Sequence, residues 1–332
     1  MQYTRLKDIS LKNYIGKRVF ITFMIRDLEI KTQKDGKTEF MNLTIQDKDR
    51  TESGVKIFQL KDYHRDMVQE GFIYNAAIDV QKYEHSKDGY ALTVYNISML
   101  GDDTDDFIDW CKNREYAANS ILKEVDNIKS NTYKMIVTAI LRGNWERFIV
   151  YPAASSMHHS KLGGLCVHTN EIINNAIAIA DILEETKQYI GINRDVIRAA
   201  CILHDIGKLS EFSVDTKTGK TKYSNEAALE THIITSIEVI NEAQIRLSLG
   251  KYKSSYEQEL EIKLLKHCIL AHHGKLEYGS PIEPSTIEAY IVSKADSISA
   301  EVYRFKETLN DMDKNSSKTI WNGGKLEIYY KN

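Results

Sequence analysis

Proline is nearly absent, at 3 residues in a chain of 332, and a long disordered linker is therefore not expected. Cysteine is scarce as well. The 4 cysteines (Cys111, Cys166, Cys201 and Cys268) are scattered with no Cys-x-x-Cys pair, which argues against a zinc ribbon or a disulfide framework. Cys166, Cys201 and Cys268 fall in apolar helical contexts and read as small core residues. Long apolar runs are missing: the most continuous one, around Ala176 to Leu183, is broken by Asp181, so no span is expected to cross a membrane. The start, Met1 to Arg5, lacks the apolar stretch of a secretion signal, and a cytoplasmic protein is the expectation. Nor is there a surplus of positive charge. The net charge is −3, which counts against a protein that coats long nucleic acids electrostatically. An enzyme with a local basic groove stays open.

What is present is ordinary globular composition, 42% hydrophobic and 27% charged, in a length that suggests two domains. Residues 1–100 read as β-rich. Arg18 to Ile30 alternates through Val19, Ile21, Phe23 and Ile25, and Lys34 to Lys37 signals a turn. Further strands are expected at Phe40 to Ile45, Val55 to Phe58, Phe72 to Tyr83 and Ala91 to Leu100, with a short helix at Tyr63 to Gln69. Five strands with a helix before the fourth is the layout of an OB fold, a small barrel that often binds oligonucleotides. A strand-binding face would draw on Arg26, Lys31, Lys37, Phe40, Lys56, Phe58, Tyr83 and Tyr90, since bases stack on aromatics and phosphates meet cations. Most aromatics of a small barrel, however, serve its core. Arg26 and Phe40 are singled out as substrate contacts.

Gly101 to Asp106 is an acidic break. Residues 101–150 read as a helical linker, with helices at Phe107 to Ile121 and Tyr133 to Leu141. Residues 151–310 read as an all-α bundle and 311–332 as a C-terminal extension, strand-like at Leu326, Ile328 and Tyr330. The fold class is thus α+β and multidomain.

The bundle carries the chemistry. In Ile202-Leu203-His204-Asp205-Ile206-Gly207-Lys208 a histidine and an aspartate sit side by side at the end of a buried helical run. Two ionisable neighbours there are costly unless something satisfies them, and imidazole with carboxylate suits a divalent first-row metal. Further ligands are at hand, roughly one group per helix: His168, His232, the His272-His273 pair and Asp296. Helices converging on a core can bring such residues together. Gly163-Gly164, just before His168, allows close backbone approach to substrate or to a neighbouring helix.

This order of residues resembles the HD-domain phosphohydrolases. The segments YPAASSMHHSKLGGLCVHT, ILHDIGKL and LKHCILAHHGKLEYGSP are similar to the YhaM-type 3'→5' exoribonucleases, in which an OB fold precedes the HD domain. The resemblance implies one metal on His168, His204, Asp205 and Asp296, and a second on Asp205 as bridge with His232 and His272. His273 is then a supporting residue or the alternative ligand, and His267 a supporting one. Two ions about 3.5–4 Å apart can clamp a phosphate and activate water. Manganese is the implied metal, with iron, magnesium or cobalt open. Lys208 would reach a phosphate oxygen, and His158 and His159 would contact the phosphate or protonate the leaving oxygen. The implied activity is stepwise hydrolysis of single-stranded RNA, or DNA, from the 3' end to nucleoside 5'-monophosphates, by a homo-oligomer. The alternatives are an HD hydrolase of cyclic (oligo)nucleotides or other small nucleotides, and a nucleic-acid-binding protein that keeps the bundle as scaffold.

Overall fold

In a computed structural model of the protein, residues 2–332 are described apart from 87, 155–158, 188, 190, 250–255, 311–319, 322–326 and 329–332. The chain divides into two compact units, one of residues 1–110 with 214–220, the other of 111–213 with 221–332.

The first unit is a closed barrel. Strands β1 (Thr4–Arg5), β2 (Lys17–Thr32), β3 (Glu39–Asp47), β4 (Arg50–Ile57), β5 (Ile73–Lys82) and β6 (Tyr90–Gly101) run in the order β1-β2-β3-β4-β6-β5. An added β2–β5 pairing closes the ring. A short helix, α1 (Asp62–Met67), stands before β5, which completes the expected OB layout. Alternation does the folding: β2 buries Val19, Ile21, Phe23 and Ile25 on the inner face. Its register against β3 slips between Ile25 and Asp27, a bulge of the kind that bends a long strand from one neighbour to the next. The β2–β3 turn is held by the Asp35 carboxylate, which accepts from the Lys37 and Thr38 amides at 2.9 Å each.

The helix expected over Phe107 to Ile121 begins only at Arg114. Phe107 and Ile108 are buried in the barrel unit instead. The Phe107 carbonyl accepts from the Lys48 amide at 2.7 Å, and the Arg5 guanidinium covers its ring at 3.7 Å. The barrel takes these two, while Ala117 and Ile121 keep the helical spacing and are buried in the bundle core. Residues 214–220 also belong to this unit. The Lys217 carbonyl accepts from Thr104 Oγ1 at 2.7 Å, and Lys220 Nζ lies 2.7 Å from Asp27 and 2.8 Å from Glu70.

The second unit is a helical bundle: α2 (Arg114–Asn127), α3 (Asn131–Phe148), α4 (Gly164–Glu185), α5 (Arg194–Leu203), α6 (Lys208–Glu211), α7 (His232–Arg246), α8 (Tyr256–Leu270) and α9 (Ile287–Asn310); between α6 and α7 the chain forms strands β7 (Phe212–Asp215) and β8 (Lys220–Tyr223), of which residues 214–220 count with the first unit. Helix α5 is its axis. The Asn193 side chain caps it, accepting from the amides of Asp195 and Val196. Val196, Ile197, Ala199, Ala200, Ile202 and Leu203 are all buried, as expected of a helix surrounded by others. Two short antiparallel strands, β9 (Ile320–Trp321) and β10 (Glu327–Ile328), follow; Leu326 and Tyr330 lie outside the described residues. Among the described residues no helix is long and apolar enough to cross a membrane.

Candidate metal centre

Five places on the bundle deliver the ionisable residues. His168 sits in the first turns of α4, His204 ends α5 with Asp205 beside it, and His232 opens α7. His272 and His273 lie in the turn after α8, and Asp296 is on α9. They form two groups, His168 with His204 and Asp296, and His232 with His272 and His273; the ligand atoms within each lie within 4.8 Å of one another. Asp205 serves both. Its Oδ2 is 3.1 Å from His204 Nε2 and 3.7 Å from His168 Nε2. Its Oδ1 is 3.4 Å from His232 Nε2 and 3.8 Å from His272 Nε2. His168 Nε2 is also 3.2 Å from Asp296 Oδ1.

The imidazoles are aimed by their other nitrogen. Nδ1 of His204 meets the Cys201 carbonyl at 2.8 Å, and Nδ1 of His272 meets the Ile269 carbonyl at 2.6 Å. Nδ1 of His232 meets Glu211 Oε2 at 3.2 Å, and Nδ1 of His168 meets Ser299 Oγ at 3.0 Å. Carbonyls and carboxylates only accept, so the proton of the first three rings belongs on Nδ1 and the lone pair on Nε2 points inward. His204 Nε2, His232 Nε2, His272 Nε2 and Asp205 Oδ1 are buried and take no hydrogen bond among the described residues. Buried lone pairs converging in this way are costly unless a cation takes them, and the nitrogen–oxygen donor set suits a divalent metal. The residues fit the ion.

Electrostatics agrees. Burial works to raise the Asp205 carboxyl, but the groups around it, with the Lys208 ammonium 2.7 Å away, outweigh it and hold it well below the usual range. Burial, reinforced by His273, pushes His272 well down, keeping it neutral as a ligand must be.

The His204–Lys208 turn is pressed against the start of α7. Gly207 has an ordinary helical backbone, φ −64°. A Cβ there would nonetheless lie 2.1 Å from the His232 carbonyl oxygen and 2.3 Å from Thr235 Oγ1. The glycine is required by proximity, because it lets Asp205 and His232 approach. Ser236 fastens the contact, accepting from the Gly207 amide at 2.9 Å and donating to the His204 carbonyl at 3.2 Å.

Other expected residues fall as follows. Lys208 is buried, with Nζ 2.7 Å from Asp205 Oδ2. His159 is buried, with Nε2 3.1 Å from Glu171 Oε2 and its ring 4.2 Å from that of Tyr303; His158 lies outside the described residues. Gly163, at φ +79°, faces Arg114, and a Cβ on Gly164 would strike the His159 carbonyl at 1.9 Å, so both glycines answer to packing within the protein. His267 accepts from the Ser285 amide at 2.9 Å. His273 lies with His232 and His272, with Nδ1 3.0 Å from the Tyr278 carbonyl. In the barrel, Phe40 and Phe58 are ring neighbours at 5.6 Å with Lys56 Nζ 5.7–5.9 Å from both. Arg26 Nη1 donates to Gln46 at 3.3 Å. Tyr90 is buried and donates to Glu52 at 3.0 Å.

Sequence reasoning passed over Glu171, Glu211 and Ser299. The available signal was spacing: Glu171 stands three residues after His168 and Ser299 three after Asp296, the same helix face in each case. A cavity of about 720 Å³ opens over His168, Asp205, Lys208, His232 and Asp296, with Tyr223 and Tyr278 in its walls.

A helical bundle in which one carboxylate is shared between two histidine groups is the arrangement of an HD-domain, metal-dependent phosphohydrolase. The family described as "HD domain" matches residues 172–301, which hold five of the six expected ligands. The chain is 30% identical over 299 residues to the 3'-5' exoribonuclease YhaM of Listeria welshimeri, covering 89% of either chain. It is 28% identical to the YhaM of Bacillus velezensis over 89% of this chain and 88% of that one. With the YhaM of Bacillus subtilis it shares 32% identity over 55% of this chain and 53% of the other. The chain belongs to the YhaM 3'-5' exoribonuclease family. Among solved structures, a Replication Protein A heterotrimer bound to ssDNA gives a TM-score of only 0.23, at 15% identity over 35% of this chain and 29% of that one.

Proposed function

We propose that this metal-dependent 3'-5' exoribonuclease removes nucleotides one at a time from single-stranded RNA and releases nucleoside 5'-monophosphates. It does so with two divalent ions, manganese first among the candidates. His168, His204, Asp205 and Asp296 would hold one ion, and Asp205, His232 and His272 the other. The observation that carries this reading is the division of Asp205, with Oδ2 toward one histidine group and Oδ1 toward the other.

Bound ions supply a polarised phosphate and a water acidic enough to attack it. The chain's residues do the rest. Lys208 sets a positive charge beside Asp205, where a phosphate oxygen would sit. His159, whose Nε2 lies 3.1 Å from Glu171 Oε2, or His158 would give a proton to the 3' oxygen that leaves. The cavity over the site has room for a nucleotide, and Tyr223 and Tyr278 offer it aromatic walls. In the barrel, Phe40, Phe58 and Lys56 form a stacking platform for unpaired bases, with Arg26 on the same strand system. The enzyme acts in the cytoplasm as a homo-oligomer.

The test is digestion of end-labelled single-stranded RNA, with added manganese, beside a panel of cyclic nucleotides and an Asp205→Ala control. A ladder shortening from the 3' end, lost in the control, is the expected result. Cleavage of cyclic nucleotides alone would overturn the reading.

A further inference from the structure

We infer that Glu171 and Ser299 are positioning residues that fix His168 with its Nε2 toward the metal. The inference rests on the ligand assignment above and goes beyond it. The four inward-facing histidines are not aimed alike. His204 and His272 lean on backbone carbonyls, which no substitution removes. His232 leans on the Glu211 carboxylate. His168 leans on a hydroxyl, and a hydroxyl alone does not choose a tautomer, because it can donate or accept.

Glu171 makes the choice. Ser299 Oγ donates to Glu171 Oε2 at 2.7 Å. A serine has one proton, and this bond uses it. The Ser299 oxygen is then left to accept, so His168 carries its proton on Nδ1 and its lone pair on Nε2. That lone pair faces Asp296 Oδ1 at 3.2 Å and Asp205 Oδ2 at 3.7 Å. His168 and Ser299 are both buried, so bulk water does not reach the bond between them. The chain of three links α4 to α9 and back, since Glu171 and His168 share α4 while Ser299 and Asp296 share α9. The same Glu171 oxygen takes His159 Nε2 at 3.1 Å.

The experiment is a calorimetric titration of the metal-free full-length protein with Mn²⁺, and a parallel titration with Co²⁺ read by its visible absorption. Wild type, Ser299→Ala, Ser299→Thr, Glu171→Ala and His168→Ala are compared. Loss of such an outer partner typically weakens metal binding about 10–100-fold. Ser299→Ala and Glu171→Ala should show that loss for one ion with an altered cobalt spectrum, and Ser299→Thr should restore both. Wild-type affinity and spectrum in Ser299→Ala, alongside a weakened His168→Ala, would overturn the inference and spare the ligand assignment. Wild-type binding in His168→Ala as well would bring down the assignment itself. Should Ser299→Ala fail to fold, Glu171→Ala, whose side chain is 43% exposed, decides by the same criteria.

Discussion

The Lys208 ammonium lies 2.7 Å from Oδ2 of Asp205, and both side chains are buried. The lysine therefore balances a carboxylate shared between two histidine groups and still presents positive charge to the cavity. Lys208→Ala should lower kcat/KM by roughly 10²-fold, the scale of losing one charge-stabilising donor in a water-poor site. Metal affinity should hold or rise, because Asp205 loses a competitor. Steady-state kinetics on labelled RNA beside metal titration checks both parts, and a loss of metal in the variant would refute the assignment.

Glu211 holds His232 through Nδ1 at 3.2 Å. Glu211→Ala should weaken binding of one ion by about 10–100-fold. Glu211→Gln should bind nearly as wild type, since its amide oxygen can still accept from the ring. Calorimetry on the two variants distinguishes this orienting role from a simple contribution of negative charge, which both variants remove.

Phe40 and Phe58 stand side by side in the barrel. A base stacked there contributes about 1–3 kcal/mol, so the Phe40→Ala, Phe58→Ala double variant should raise KM for a long single strand about 10-fold or more. Turnover of a dinucleotide, which offers no further unpaired bases to a stacking platform, should not change. Equal effects on both substrates would place the contact elsewhere.

Gly207→Ala asks whether proximity, not backbone freedom, demands the glycine. The added methyl meets the His232 carbonyl and Thr235 Oγ1, and overpacking of this kind costs about 1–3 kcal/mol. The melting temperature should drop, and metal binding should weaken because His232 is displaced. An unchanged melting curve would mean the two segments separate freely.

Alkaline pH should loosen the barrel through Tyr90. Burial first, and then the neighbouring Glu52, push its hydroxyl up to about 12, against an ordinary value of 10.0. Below pH 10 the proton is present in folded and unfolded chains alike, and the contribution is complete. Between pH 10 and about 12 only the folded chain keeps it, so stability falls as pH rises through that window. Denaturant unfolding across this range should show a shallower decline in Tyr90→Phe than in wild type.

How much of this could be read beforehand differs by element. The barrel was legible because alternation in β2 leaves no other way to bury Val19, Ile21, Phe23 and Ile25. The His204-Asp205 pair stood out because a buried helical run does not end on two ionisable residues without something to hold them. The helix expected from Phe107 starts at Arg114 instead, since periodicity cannot tell which core an apolar residue will join. Glu171, Glu211 and Ser299 escaped notice for a related reason: polar residues on helices mostly face water, and only the packed structure reveals which of them turn inward. The sharing of Asp205 depends on where two oxygens point, which no linear pattern records.

Residues 214–220 are a part of the barrel that the gene encodes a hundred codons late. A fragment cut at Trp110 would keep every strand of the OB ring yet expose Thr104 where the Lys217 carbonyl had covered it. It would also leave Asp27 and Glu70 facing each other without Lys220. Neither a truncation nor a domain graft can lift the barrel out whole, and a graft that borrows it must borrow this detour too.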